Sequence, residues 1–133
     1  MQHLVLDTPG IVISYDYSNR WLHVDWRGHQ TQDSARAGCQ HILEALSEWP
    51  TAKILNNNTN VTTADLQLTD WGLSWLLDMH AAGLRFMAWV FASDFKGQHH
   101  SEQMLKLVKR PTLATFTDVE QATQWLRQQR AID

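Results

Sequence analysis

The sequence predicts an α/β domain: a leading antiparallel hairpin, then alternating helix and strand building a mixed, mostly parallel sheet of five strands with about four helices. Three observations predict it. Residues 11–16 and 20–26 alternate with a period of two around a short polar turn. After residue 33, apolar positions recur at helical spacing in four stretches separated by short apolar runs. Residues 84–92, LRFMAWVFA, are almost wholly apolar, as in a strand buried on both faces.

The elements follow in order. Residues 1–10 form an N-terminal arm, loose or an extra edge strand, ahead of a single domain spanning the 133 residues. Ile11, Ile13 and Tyr15 alternate with Val12 and Ser14, and Asp16-Tyr17-Ser18-Asn19 is turn chemistry. Trp21, His23 and Asp25 then share one strand face, and Leu22, Val24 and Trp26 the other, with Gly28 ending the strand. Asp33 or Ser34 caps a helix whose stripe is Ala35, Cys39, Ile42, Leu43, Leu46 and Trp49, and Pro50 stops it. A short strand at 52–55 leads into Asn56, Asn57 and Asn58, which turn the chain. A second helix, 66–82, carries Trp71, Leu73, Trp75, Leu76, Leu77 and Met79, with Gly83 just past its end. Residues 101–109 make a third helix before Pro111, 113–116 the last strand, and Asp118 caps a final helix burying Ala122, Trp125 and Leu126.

Composition excludes several functions. The net charge is −3, and the basic residues cluster only at Lys106, Lys109 and Arg110, so no nucleic-acid footprint is present. Cys39 stands alone, which fits a reducing, cytoplasmic home. The first residues, MQHLVLDTPG, lack the pattern of a signal peptide, and no run of about 18 apolar residues predicts a membrane span. Seven tryptophans supply large apolar areas for a core or an interface.

This string of elements resembles the STAS domain family, the SpoIIAA-like fold of anti-sigma-factor antagonists. The match is sharpest at Ile54-Leu55-Asn56-Asn57 leading to Thr69-Asp70-Trp71-Gly72-Leu73, which resembles the antagonists' strand, loop and Asp-Ser-Ser-Gly-Leu-like helix start. Trp21, Trp26, the three asparagines, Ala88-Trp89-Val90 and Ala122-Thr123-Gln124-Trp125-Leu126 are similar to an uncharacterised bacterial branch of STAS-like proteins. The resemblance covers residues 11–129 and is one of topology more than motif. It implies a protein-interaction or regulatory module. The match places Trp71 at or near the antagonists' phosphorylated serine, and Trp cannot be phosphorylated; Thr69 and Ser74 do not occupy the matching place.

Candidate site residues fall into two groups. Ligands of parallel sheets bind beyond the carboxyl ends of the strands. On that rim the sequence places Asn56, Asn57 and Asn58, with His29, Ser93 and Asp94. Asn amides both donate and accept, so such a cluster reads small polar ligands; the plainer reading is that Asn runs turn the chain. Trp71 and Trp75, four apart on one helix, and Trp21 on an expected edge hairpin form a candidate interface, against the plainer reading of core packing. His99 and His100, with His80 or His29, lack zinc-ligand spacing, so no metal or other cofactor is expected. Cys39 lies on an apolar stripe that raises its pKa rather than activating it. No two carboxylates form an acid–base pair, so no catalytic residues are assigned. The expectation is a non-enzymatic module that binds a protein partner or forms a homodimer. The alternative is a binder of a small polar or lipid ligand, or a small enzyme, using the strand-end crevice.

Overall fold

Both alternating runs form the predicted hairpin, but it is the second of two. The computed structural model describes residues 1–65, 70–92, 103 and 105–130, without the side chains of 64 and 65. Its strands are β1 (Gln2–Asp7), β2 (Ile11–Asp16), β3 (Trp21–Thr31), β4 (Lys53–Asp65), β5 (Phe86–Val90) and β6 (Thr112–Phe116). Its helices are α1 (Gln32–Glu48), α2 (Asp70–Ala81) and α3 (Val119–Gln128). The strands lie side by side in chain order, antiparallel from β1 to β3 and parallel from β3 to β6.

Six strands therefore replace the expected five, because the N-terminal arm is β1. Thr8-Pro9-Gly10 makes the turn: the Thr8 hydroxyl accepts from the Ile11 amide at 3.0 Å and donates to the Ile11 carbonyl at 2.8 Å. Val5 and Leu6 then pack against the core. The predicted helix 101–109 falls largely outside the described residues; Gln103 and Leu105 are helical. Residues 66–69 of the predicted second helix also lie outside them.

Period-two alternation decides what each sheet face buries. Leu22, Val24 and Trp26 join Ile13, Ile54 and Met87 beneath Ile42 and Leu46 of α1 and Trp75, Leu76 and Met79 of α2. Trp21 faces the other way, with Leu55, Ala88 and Val90, and is covered by Ala122 and Leu126 of α3. As right-handed crossovers require, α1 and α2 share a face. The helix after the last strand covers the opposite one.

Two expected boundaries move. Gly28 does not end β3; at φ 75° it sits in a register shift, and the strand runs on to Thr31. Because β3 passes directly into α1, the cap is Thr31, not Asp33 or Ser34. Thr31 accepts from the Ser34 amide at 3.1 Å, while Ser34 accepts from the Thr31 amide at 2.8 Å. Asp118 caps α3 as expected, accepting from the Glu120 amide at 2.9 Å. Residues 52–55 and 84–92 do run side by side in one direction, with Lys53 opposite Phe86 and Asn57 opposite Val90.

Candidate functional site

The asparagines do not turn the chain. They lie inside β4, which continues eight residues past the last position paired with β5. Asn56 faces α1 and α2 and is 2% exposed. Its Oδ1 accepts from the Trp26 indole Nε1 at 2.8 Å. A buried indole N–H without an acceptor costs about 1–3 kcal/mol. A polar residue thus stands in a strand core because a tryptophan on the neighbouring strand needs its oxygen. Trp26 in turn lies against Gly38 of α1, where an added Cβ would sit 2.3 Å from the ring.

Asn57 faces the α3 side and is also buried. Asp25 pairs with Asn57 and Arg27 with Asn60, so Asn58 and Thr59 together oppose Trp26. In this bulge the ladder skips a residue, and the Asn57 Oδ1 accepts from the Thr59 amide at 3.0 Å. The Asn58 Nδ2 lies 3.4 Å from the Asn56 carbonyl. The triplet therefore completes one indole bond and one bulge.

Beyond the bulge, β3 and β4 form a two-stranded ribbon projecting past their neighbours. Asp25 holds its base, accepting from Asn60 Nδ2 at 2.9 Å and from Arg27 Nε at 2.8 Å. His29 lies out on the ribbon, its Nδ1 against the Thr63 hydroxyl. Five residues separate it from Val24, the partner of Asn56, or roughly 15 Å along the strand. The structure thus brings Asn57, Asp25 and Asn60 to one neighbourhood but does not gather His29 with Asn56. Ser93 and Asp94 lie outside the described residues.

Next to this group is a residue that the sequence did not single out as a site. The His23 Nε2 is buried with no hydrogen-bond partner among the described residues. Burial pushes its pKa below the ordinary 6.5, opposed by the charges of Asp25 and Asp16. No local pattern marks it, since alternation places His23 on a face without saying what covers that face.

The expected tryptophan interface is corrected. Trp21 is 2% exposed, because β3 is a central strand rather than a sheet edge. Trp75 is 4% exposed and donates its Nε1 to the Cys39 carbonyl at 3.0 Å, tying α2 to α1. Trp71 is half-buried beneath the Arg36 guanidinium, 5.4 Å from its ring centroid. The large apolar side chain that α2 does expose is Leu77, at 61%. Cys39 is held inert as expected: burial pushes its thiol up to about 12.

No protein-family model matches the chain, and no curated protein matches it. Among solved structures, an uncharacterized protein of the DUF3478 family with a SpoIIAA-like fold, from Shewanella loihica PV-4, superposes with a TM-score of 0.59 at 18% identity. The alignment covers 93% of this chain and 99% of that one. The anti-sigma factor antagonist SpoIIAA in its unphosphorylated form superposes with a TM-score of 0.49 at 14% identity, over 96% of this chain and 99% of its own. With its six-stranded mixed sheet, the two crossover helices on one face and the last helix on the other, this chain has the SpoIIAA-like fold.

Proposed function

We propose that this chain is a non-enzymatic STAS-type module of the cytoplasm that acts by binding a protein partner or a second copy of itself. One observation carries this reading: the polar groups best suited to chemistry are spent on the fold. Asn56 serves Trp26, Asn57 serves the bulge, Asp25 holds Arg27 and Asn60, and the Cys39 thiol is buried. Among the outward-facing groups are an apolar side chain, Leu77 on α2, and an edge strand without charge, β6. No helix among the described residues is long and apolar enough to cross a membrane.

A second reading, a small polar ligand at the carboxyl-end rim, rests on the unpartnered His23 Nε2 beside Asp25 and Asn57. Asn58, in the bulge next to Asn57, would border that site. One experiment separates the two readings. A photoreactive residue at Leu77 or Thr112 is expected to give protein–protein adducts mappable by mass spectrometry. A thermal-shift screen of sugars, nucleotides, amino acids and lipids is expected to give no stabilising compound. A compound that raises Tm by several degrees in the wild type but not in Asn58→Ala, together with a lack of adducts, would replace the first reading by the second.

A further inference from the structure

The sheet has four unpaired strand edges among the described residues, the outer sides of β1 and β6 and the overhangs of β3 and β4, and they are not equivalent. Edges that expose backbone donors and acceptors invite another strand unless something blocks them. The outer edge of β1 carries a bulge between Leu4 and Leu6 and the ionisable residues His3 and Asp7. The overhanging edges of β3 and β4 belong to a ribbon interrupted by two register shifts. Only β6 pairs with its neighbour without a shift, from Phe86–Thr112 to Val90–Phe116, and its five residues, TLATF, carry no charge.

Its backbone orientation is fixed by two bonds. The Thr112 amide donates to the Arg85 carbonyl at 2.9 Å, and the Phe116 carbonyl accepts from the Phe91 amide at 2.8 Å. Residues 112, 114 and 116 therefore direct their main-chain groups to β5. Leu113 and Thr115 direct theirs outward, since alternate residues of a strand bond to opposite sides.

We infer that β6 pairs antiparallel with β6 of a second copy, about a two-fold axis at Ala114, joining two sheets into one of twelve strands. This rests on the self-association reading above and names its surface. The axis sets Leu113 opposite Thr115 of the partner. This is a hydrogen-bonded pair that exchanges both N–H···O bonds, and symmetry makes it twice. Ala114 meets its own copy at the centre, where a small side chain permits close approach. On the α3 face Phe116 comes opposite Thr112.

Charge agrees with this register. Lys106, Lys109 and Arg110 precede β6, and Asp118 and Glu120 follow it; all five are exposed. None forms an ion pair with another described residue. Antiparallel pairing lays the basic end of each strand beside the acidic end of the other, twice per dimer. A parallel pairing would set like against like.

Sedimentation velocity from about 1 to 300 μM tests the pairing. A strand-to-strand joint is smaller than a standard interface, so dimer is expected mainly above about 10 μM. The mass moves from 15.4 kDa toward twice that value. Thr115→Pro deletes an N–H that faces outward and takes no part in the β5 ladder, so the monomer keeps its fold by circular dichroism and the dimer is lost. Arg110→Glu, an exposed reversal, weakens the dimer at least tenfold at low salt. Leu77→Lys leaves it intact. Wild-type protein that stays monomeric at 300 μM overturns both the pairing and the homodimer. A dimer that survives Thr115→Pro but is lost in Leu77→Lys overturns the β6 pairing alone and moves self-association to α2.

Discussion

Replacing Asn56 by Leu asks whether this asparagine belongs to the fold or to a ligand. Leu has the same branched heavy-atom skeleton, is somewhat bulkier and suits a strand core, so the substitution chiefly removes the Oδ1 that receives the Trp26 Nε1. The indole N–H is then left buried and unpaired, which costs about 1–3 kcal/mol. For a domain of this size that lowers Tm by roughly 4–11 °C. The stability assay is urea unfolding followed by far-ultraviolet circular dichroism, because the partner mutation alters tryptophan emission. Trp26→Phe removes the donor instead. In the Asn56→Leu background it should cost about 1–2 kcal/mol less than in the wild type, since no orphan is left to create. If Asn56→Leu costs under about 0.5 kcal/mol, or the two substitutions simply add, the bond does not carry the position and the ligand reading of Asn56 gains.

Two further outcomes follow from single contacts. Gly38→Ala would ordinarily strengthen a helix by about 0.5–1 kcal/mol. Here the new Cβ falls 2.3 Å from the Trp26 ring, so the sign reverses and thermal unfolding should show a loss of about 1–3 kcal/mol. His23 gives the protein an acid-side weakness. Its folded pKa lies below the ordinary 6.5, so the unfolded chain binds the proton more readily. The neutral imidazole's contribution is fully present above 6.5 and is lost as pH falls from there toward the folded value. Urea midpoints from about pH 8 to 5 should fall in the wild type and fall less in His23→Phe; equal slopes would assign the effect to other groups. Asp16 lies below its ordinary 3.8, where burial, which raises it, is outweighed by bonds from Asn19 and Ser18, so its loss comes at more acidic pH.

The sequence showed most of the architecture where the pattern is local. Alternation over 21–26 sorted Trp21 from Leu22, and the apolar run at 84–92 marked a strand buried on both faces. Where a residue's role depends on a distant partner, the local pattern misled. Three asparagines look like a turn because Asn tolerates turn geometry. They continue a strand because Trp26, thirty positions earlier, lies one strand away with an N–H to satisfy. Trp21 looked like an edge residue because the arm before it carried too weak a pattern to read as β1. Once β1 and β4 flank the hairpin, β3 is central and Trp21 is core.

Side-chain period alone settled the α/β class and the place of Cys39 on an apolar stripe, because periodicity and burial preference are properties of short segments. Tertiary structure alone decided which polar groups are consumed, which histidine is stranded and which strand edge is left regular. Those outcomes depend on which segments meet and in what register, and one residue's slip in register moves a side chain to the opposite face.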